Sequence, residues 1–280
     1  MDDLTPLVAG WPVGRAAVGV AAADGVLGTA GDVSWVTRIA SVSKILTGHA
    51  ALVALEEETI RLDEPAGPAG STVEHLLAHA SGLSFSGDVP LARPGRRRIY
   101  SNAGIEAFAE HLAARAGMRF ERYLHAGVFE PLEMGATLLL GSPAHDVHSN
   151  VDDLLRFCRE LLDPVLIDRS TLEMAVTPHF PELRGVVPGI GRFDPCPWGL
   201  TFEVRGSKDP HWTGRSNSAG TFGHFGGSGT FLWVDPDAGL AAVGLSDREF
   251  GPWALEVWPG FCDAVLARYE GVRSGGRTRP

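Results

Sequence analysis

Ile39-Ala40-Ser41-Val42-Ser43-Lys44-Ile45-Leu46 is the stretch on which the chain turns. It sets a serine three residues ahead of a lysine, where extended chain gives way to a helical pattern. At that spacing on a helix the two side chains lie one turn apart on the same face, so the amine approaches the hydroxyl. That is the arrangement of a nucleophile and its base. Ser-x-x-Lys is common by chance, but of the 24 Lys and Arg residues only Lys44 and Lys208 are lysines. A chain that writes nearly every cation as arginine, which keeps its proton, has retained an amine that can release one here.

On the N-terminal side, residues 15–23 and 26–30 are small and β-compatible around Asp24-Gly25, which predicts a hairpin with an Asp-Gly turn. A short extended piece, 34–39, leads into the serine. Ile45, Leu46, Leu52, Val53 and Leu55 then recur at helical spacing, so Ser41 is expected at the start of a buried helix. After the break at residues 65–70 the pattern is helical over 72–80, 103–116, 120–128, 151–162 and 169–176. Gly82 is expected to cap the first of these and Ser149 to N-cap the fourth. Short alternating pieces return at 198–205, 220–224, 229–234 and 240–246, as in an antiparallel sheet. An amphipathic helix over 253–269 and a polar tail from Ser274 close the chain. The expected fold is α/β (α+β): an antiparallel sheet flanked by helices, built from residues 1–63 and 181–280, with an all-helical lobe at 64–180. The active-site cleft is expected between them.

The length of 280 residues and the 44% apolar content suit a folded enzyme-sized core, and the formal charge of −10 argues against a nucleic-acid or anionic-membrane binder. Without a visible signal segment or membrane span the chain reads as cytoplasmic. Cys158, Cys196 and Cys262 are widely spaced and read as reduced thiols.

Two further segments carry chemistry. Tyr100-Ser101-Asn102 places a phenol and an amide on one side of an extended turn just before a helix. In Gly223-His224-Phe225-Gly226-Gly227-Ser228-Gly229-Thr230 the glycines lead into a strand and not a helix, so a phosphate loop is rejected. They allow instead a close approach of ligand to a strand edge. His75 and His79 have the spacing of a zinc pair but lack a third ligand, and read as packing residues. The arginine run 96–98 reads as a solvated loop.

Taken together, Ser41-Val42-Ser43-Lys44, Tyr100-Ser101-Asn102 and His224-Phe225-Gly226 resemble the three motifs of the penicillin-recognising serine hydrolases, the β-lactamase/transpeptidase-like group of class C β-lactamases, D-alanyl-D-alanine carboxypeptidases and related esterases. Two connectors, His75 to Leu83 and Phe129 to Met134, are similar to the family's His-Leu-Leu-Thr-His-Thr-Ser-Gly-Leu and Pro-Leu-Gly-Met segments. The resemblance covers about residues 15–246.

It implies that Ser41 forms an acyl-enzyme, with Lys44 and Tyr100 as general acid and base, and that Asn102 holds Lys44 and the substrate oxygen. It further implies that His224, Phe225 and Gly226 support substrate binding, and that the backbone N–H groups of Ser41 and Gly227 form the oxyanion hole. No metal or organic cofactor is implied. Phe225 stands where relatives have a hydroxyl residue that helps bind a substrate carboxylate. The expected substrate is therefore a small ester or amide, with β-lactams or D-amino-acid peptides as alternatives. A non-catalytic acyl- or peptide-binding protein is the competing reading from another class.

Overall fold

The computed structural model describes residues 1–270, so the tail from Ser274 lies outside the described residues. In chain order the strands are β1 (Asp2–Asp3), β2 (Ala16–Ala22), β3 (Gly25–Ala30), β4 (Thr37–Arg38), β5 (Leu138–Leu139), β6 (Val147–Ser149), β7 (Gly185–Val187), β8 (Gly191–Phe193), β9 (Glu203–Val204), β10 (Phe222–Gly226), β11 (Thr230–Asp235) and β12 (Leu240–Ser246). The helices are α1 (Thr5–Val8), α2 (Ser43–Glu56), α3 (Val73–Leu77), α4 (Asn102–Ala116), α5 (Phe120–Leu124), α6 (Val151–Leu162), α7 (Arg169–Val176) and α8 (Pro252–Arg268).

Seven strands form one sheet in the order β1-β3-β2-β12-β11-β10-β9, antiparallel except for the β1–β3 pair. The expected union of N- and C-terminal strands occurs where β2 pairs with β12, Ala21 opposite Ala241 and Ala17 opposite Leu245. Strand alternation sends alternate residues to opposite faces. Phe231 and Trp233 of β11 join Trp253, Trp258, Phe261 and Val265 of α8 in one core. Leu232 and Val234 join the core that holds α2 and α6. Gly19 of β2 is where α6 seats, because a Cβ there would stand 2.7 Å from Leu155 and 2.9 Å from Val151.

Residues 64–180 contain α3 to α7, and also β5 and β6, which extend β4 into a separate three-stranded sheet. Several local expectations are corrected. The hairpin turns at Ala23-Asp24, since Ala22 pairs with Gly25. The α6 cap is Asn150, whose side chain accepts from the Asp153 N–H, and not Ser149. The α3 helix stops at Leu77, so Gly82, at φ +87°, serves a later loop. Residues 125–129 wind as a π turn after α5. Of the extended piece 198–205 only β9 and a bridge between Trp198 and Glu203 are strand-like. Among the described residues no helix is long and apolar enough to cross a membrane.

Candidate active site

Ser41 sits in a single 3₁₀ turn, Ala40–Val42, that runs straight into α2. The turn is strained, with Ala40 at φ +45°, and the surroundings over-determine it. Thr230 Oγ1 donates to the Ile39 carbonyl at 2.8 Å and Ser228 Oγ to the Arg38 carbonyl at 2.7 Å. From the other side, the Ile39 N–H donates to the Val147 carbonyl at 2.9 Å and the Ser43 hydroxyl accepts from the Val147 N–H at 3.1 Å. Gly226 lets β10 approach this closely, because a Cβ there would stand 2.4 Å from the Ile39 carbonyl oxygen. The position beside Gly227 is open, with nothing within 4 Å of an added Cβ. Neither the Ser41 nor the Gly227 N–H donates in the loop hydrogen bonds of the described residues.

One turn on, Lys44 is wholly buried, and its amine donates to Ser41 Oγ at 3.2 Å and to the Ala144 carbonyl at 2.7 Å. Burial pulls its pKa from 10.5 down to about 7, against a smaller opposing pull from Glu106. Asn102 does not hold Lys44 as expected; the Ala144 carbonyl takes that contact. Asn102 is the first residue of α4, and its buried Oδ1 has no partner.

The Tyr100 ring lies 4.8 Å from the Lys44 amine. Its hydroxyl is buried beside Ser41 without a hydrogen bond of good geometry. Burial raises the phenol pKa above its usual range, so it is protonated at neutral pH. The backbone around it is clamped by His79, whose carbonyl accepts from the Ile99 N–H at 2.9 Å and whose Nδ1 accepts from the Ser101 N–H at 3.2 Å. The His79 ring lies 4.7 Å from the Tyr100 ring. His79 lies beyond the end of α3 at φ +54°, so it shares no helix face with His75. Arg98 is buried, not solvated as the run 96–98 suggested, and donates to the carbonyls of Ala78, His179, Phe180 and Cys196.

His224 and Phe225 point to opposite sides of β10. The His224 Nδ1 lies 2.6 Å from the Phe225 carbonyl oxygen, which only accepts, so Nδ1 carries the proton and Nε2 is a bare acceptor. That Nε2 is buried without a partner, and the ring is 5.6 Å from Tyr100. Burial and then the Lys44 charge pull its pKa to about 3, so His224 is neutral. Phe225 turns away from Ser41 and packs in the α8 core, 4.5 Å from the Phe250 ring.

Behind Tyr100 and His224 stands Trp198, 5.8 and 5.7 Å from them. Lys208 lies 5.9 Å from the Trp198 ring on its way to an ion pair with buried Glu203 at 3.0 Å. Burial alone would raise the Glu203 pKa, but Lys208 and then His211 hold the carboxyl well below its ordinary range. His211 Nε2 at 3.1 Å and the Trp212 Nε1–H at 2.5 Å complete its shell. The scarcity of lysine was read only for Lys44, though the same signal applies to Lys208, while nothing in the sequence marks the Ala144 carbonyl, a backbone group brought in by the fold.

A beta-lactamase family model matches residues 8–259. The chain is 51% identical to a beta-lactamase from Mycobacterium bovis of known crystal structure, with a TM-score of 0.93 over 94% of this chain and 98% of that one. Unliganded simvastatin synthase from Aspergillus terreus superposes with a TM-score of 0.77 over 95% of this chain and 96% of that one, at 18% identity, a likeness of fold alone. A beta-lactamase from Escherichia coli (strain K12) is 23% identical over 192 residues, 50% of this chain and 51% of that one, so the match spans about half the length of that relative.

Proposed function

The chain belongs to the beta-lactamase family, and from that premise we propose that it is a serine hydrolase that cleaves a neutral ester or amide through an acyl-enzyme on Ser41. The observation that carries this reading is the buried Lys44 amine, 3.2 Å from Ser41 Oγ and with its pKa drawn to about 7. Neutral Lys44 takes the Ser41 proton as Oγ attacks the carbonyl carbon. The Ser41 and Gly227 N–H groups hold the developing oxyanion, a contribution of roughly 3–4 kcal/mol per donor. Tyr100, protonated at neutral pH, gives its proton to the departing alkoxide or amine and regains one from Lys44. Water then cleaves the acyl-enzyme and returns the hydroxyl proton to Ser41. His224, as a neutral acceptor, and Asn102 orient the phenol and the substrate. The site falls in the cleft between residues 1–63 with 181–280 and residues 64–180.

Neutrality of the substrate is supported by two features. His224 carries no charge, and position 225 holds a phenyl ring packed in the core, so the motif offers no hydroxyl to a substrate carboxylate. A second reading, β-lactam cleavage, is favoured by the name of the Mycobacterium bovis relative. A fluorophosphonate probe and a fluorescent penicillin, each followed by peptide mass spectrometry with Ser41→Ala as control, separate the readings. Adduct on Ser41 from the fluorophosphonate alone is expected. Penicillin adduct and turnover would select the β-lactam reading, and absence of both adducts would overturn the hydrolase reading.

A further inference from the structure

Beside Tyr100 stands a loop, residues 83–92, that the chemistry above leaves unused. Its base is closed by a bridge between Leu83 and Pro90 and by the Leu91 N–H donating to the Gly82 carbonyl at 2.8 Å. Ser84 Oγ ties the tip through the carbonyls of Ser86 and Gly87. Two successive carbonyls then lock the loop to the start of α4: Ser84 accepts from the Ser101 hydroxyl at 2.6 Å, and Phe85 from the Asn102 N–H at 2.9 Å. The loop is thus fixed to the segment that carries Tyr100 and Asn102.

What this fixed loop presents is apolar. Phe85 is 54% exposed, Val89 67% and Leu91 64%, although such side chains gain by leaving water. The Phe85 ring is stacked on the Tyr100 ring, with centroids 6.0 Å apart and planes at 29°. One face of an exposed phenyl group is therefore part of the wall around the proposed proton donor. Between the loop and α4 runs a groove of about 390 Å³, bordered by Leu83, Gly87 and Ala103, with Asp88, Glu106 and Glu110 along it. Those carboxylates oppose an anionic chain, while the match to a neutral apolar chain comes from the exposed side chains of Phe85, Val89 and Leu91, which lie outside that groove's lining.

We propose that Phe85 is a specificity-determining residue, and that its loop receives a neutral apolar chain of the substrate, so that the enzyme prefers esters of several methylenes over acetates. This rests on the serine hydrolase reading and names its substrate class. The acyl chain and the alcohol chain share the required chemistry. Each methylene buried is worth about a factor of four. Contact with two or three of them raises kcat/KM by roughly fifteen- to sixtyfold.

The test measures kcat/KM for p-nitrophenyl esters from acetate to octanoate, and for alkyl acetates of matching length, in the wild type, Phe85→Ala and Phe85→Leu. Wild-type selectivity for the longer chain in one series, collapse of that ratio by about tenfold or more in Phe85→Ala, and its return in Phe85→Leu are expected. The series that responds identifies the chain. Ester turnover without length dependence, or with the same ratio in Phe85→Ala, would overturn the role of Phe85 and leave the hydrolase reading standing. Absence of any turnover would instead remove the hydrolase reading. Calorimetric titration of Ser41→Ala with octanamide and acetamide then decides for the loop: affinity that rises with length and falls on adding Phe85→Ala supports it, and equal affinities overturn it.

Discussion

The two lysines of the chain, Lys44 and Lys208, are both buried, and they do different work. Because Lys44 acts in its neutral form, the rate of acylation is expected to rise with pH through about 7, an acid limb that Tyr100→Phe leaves at the same position while lowering the plateau. The same shift carries a stability cost. The unfolded chain holds a proton on this amine up to 10.5 while the folded one releases it near 7, so the cost is full below about 7 and fades as pH rises to 10.5. Lys44→Met is therefore expected to abolish acylation and to stabilise the fold by about 1–3 kcal/mol at neutral pH, after loss of two hydrogen bonds. Urea titrations should show that advantage shrinking toward pH 10. Lys208 is the opposite case, since Lys208→Met takes from buried Glu203 its charged partner and leaves only His211 and the Trp212 N–H beside it. A loss of about 3–5 kcal/mol is expected, with most of it recovered in the Glu203→Gln/Lys208→Met double variant.

At the scale of elements, the contact that sets the nucleophile is the one between the Ala40–Val42 turn and the end of β10. Gly226→Ala would force a Cβ to within 2.4 Å of the Ile39 carbonyl oxygen and 3.1 Å of the Ala40 Cβ. The turn must then move, and a displacement near 1 Å costs about 10² in rate. The measurement is the rate of Ser41 labelling by a fluorophosphonate, set against a urea midpoint lowered by only about 1–3 kcal/mol. Unchanged labelling would show that the strand end does not position Ser41. The helices α2, α6 and α7 were legible because their apolar period lies within one segment, even though the α6 cap was misplaced by one residue. Gly82 was misread because a glycine fit for a helix cap equally suits a loop that passes under the Ala92 carbonyl, 2.0 Å from its absent Cβ. Tyr100 and Asn102 were legible as a motif, but the loss of the Lys44–Asn102 contact was not, since it depends on where residues 142–146 return.

Across the whole molecule, the expected division into residues 1–63 with 181–280 and residues 64–180 does not separate two cores. Helix α6, from the second part, covers β2 and β12 of the first, with Leu154 and Leu155 buried in the core that also holds Ala17, Ala21 and Val243. The two parts are therefore expected to unfold in one transition. All seven tryptophans lie outside residues 64–180, so their fluorescence reports the first part alone, while far-UV circular dichroism adds the helices α3 to α7 of the second part to α2 and α8 of the first. Coincident urea curves are the predicted result, and two separated midpoints would refute it. The sequence by itself determined the hairpin of β2 and β3, the main helices, the C-terminal strands β10 to β12, the pairing of Ser41 with Lys44 and the motif around Tyr100, because those rest on periods and spacings within one segment. Only the tertiary structure decided what surrounds the Ser41-to-Leu46 stretch: the Ala144 carbonyl on Lys44, the neutral tautomer of His224, the turn of Phe225 into the core and the stacking of Phe85 on Tyr100. Each of these arises from desolvation or packing between residues far apart in the chain, and neither has a period to read.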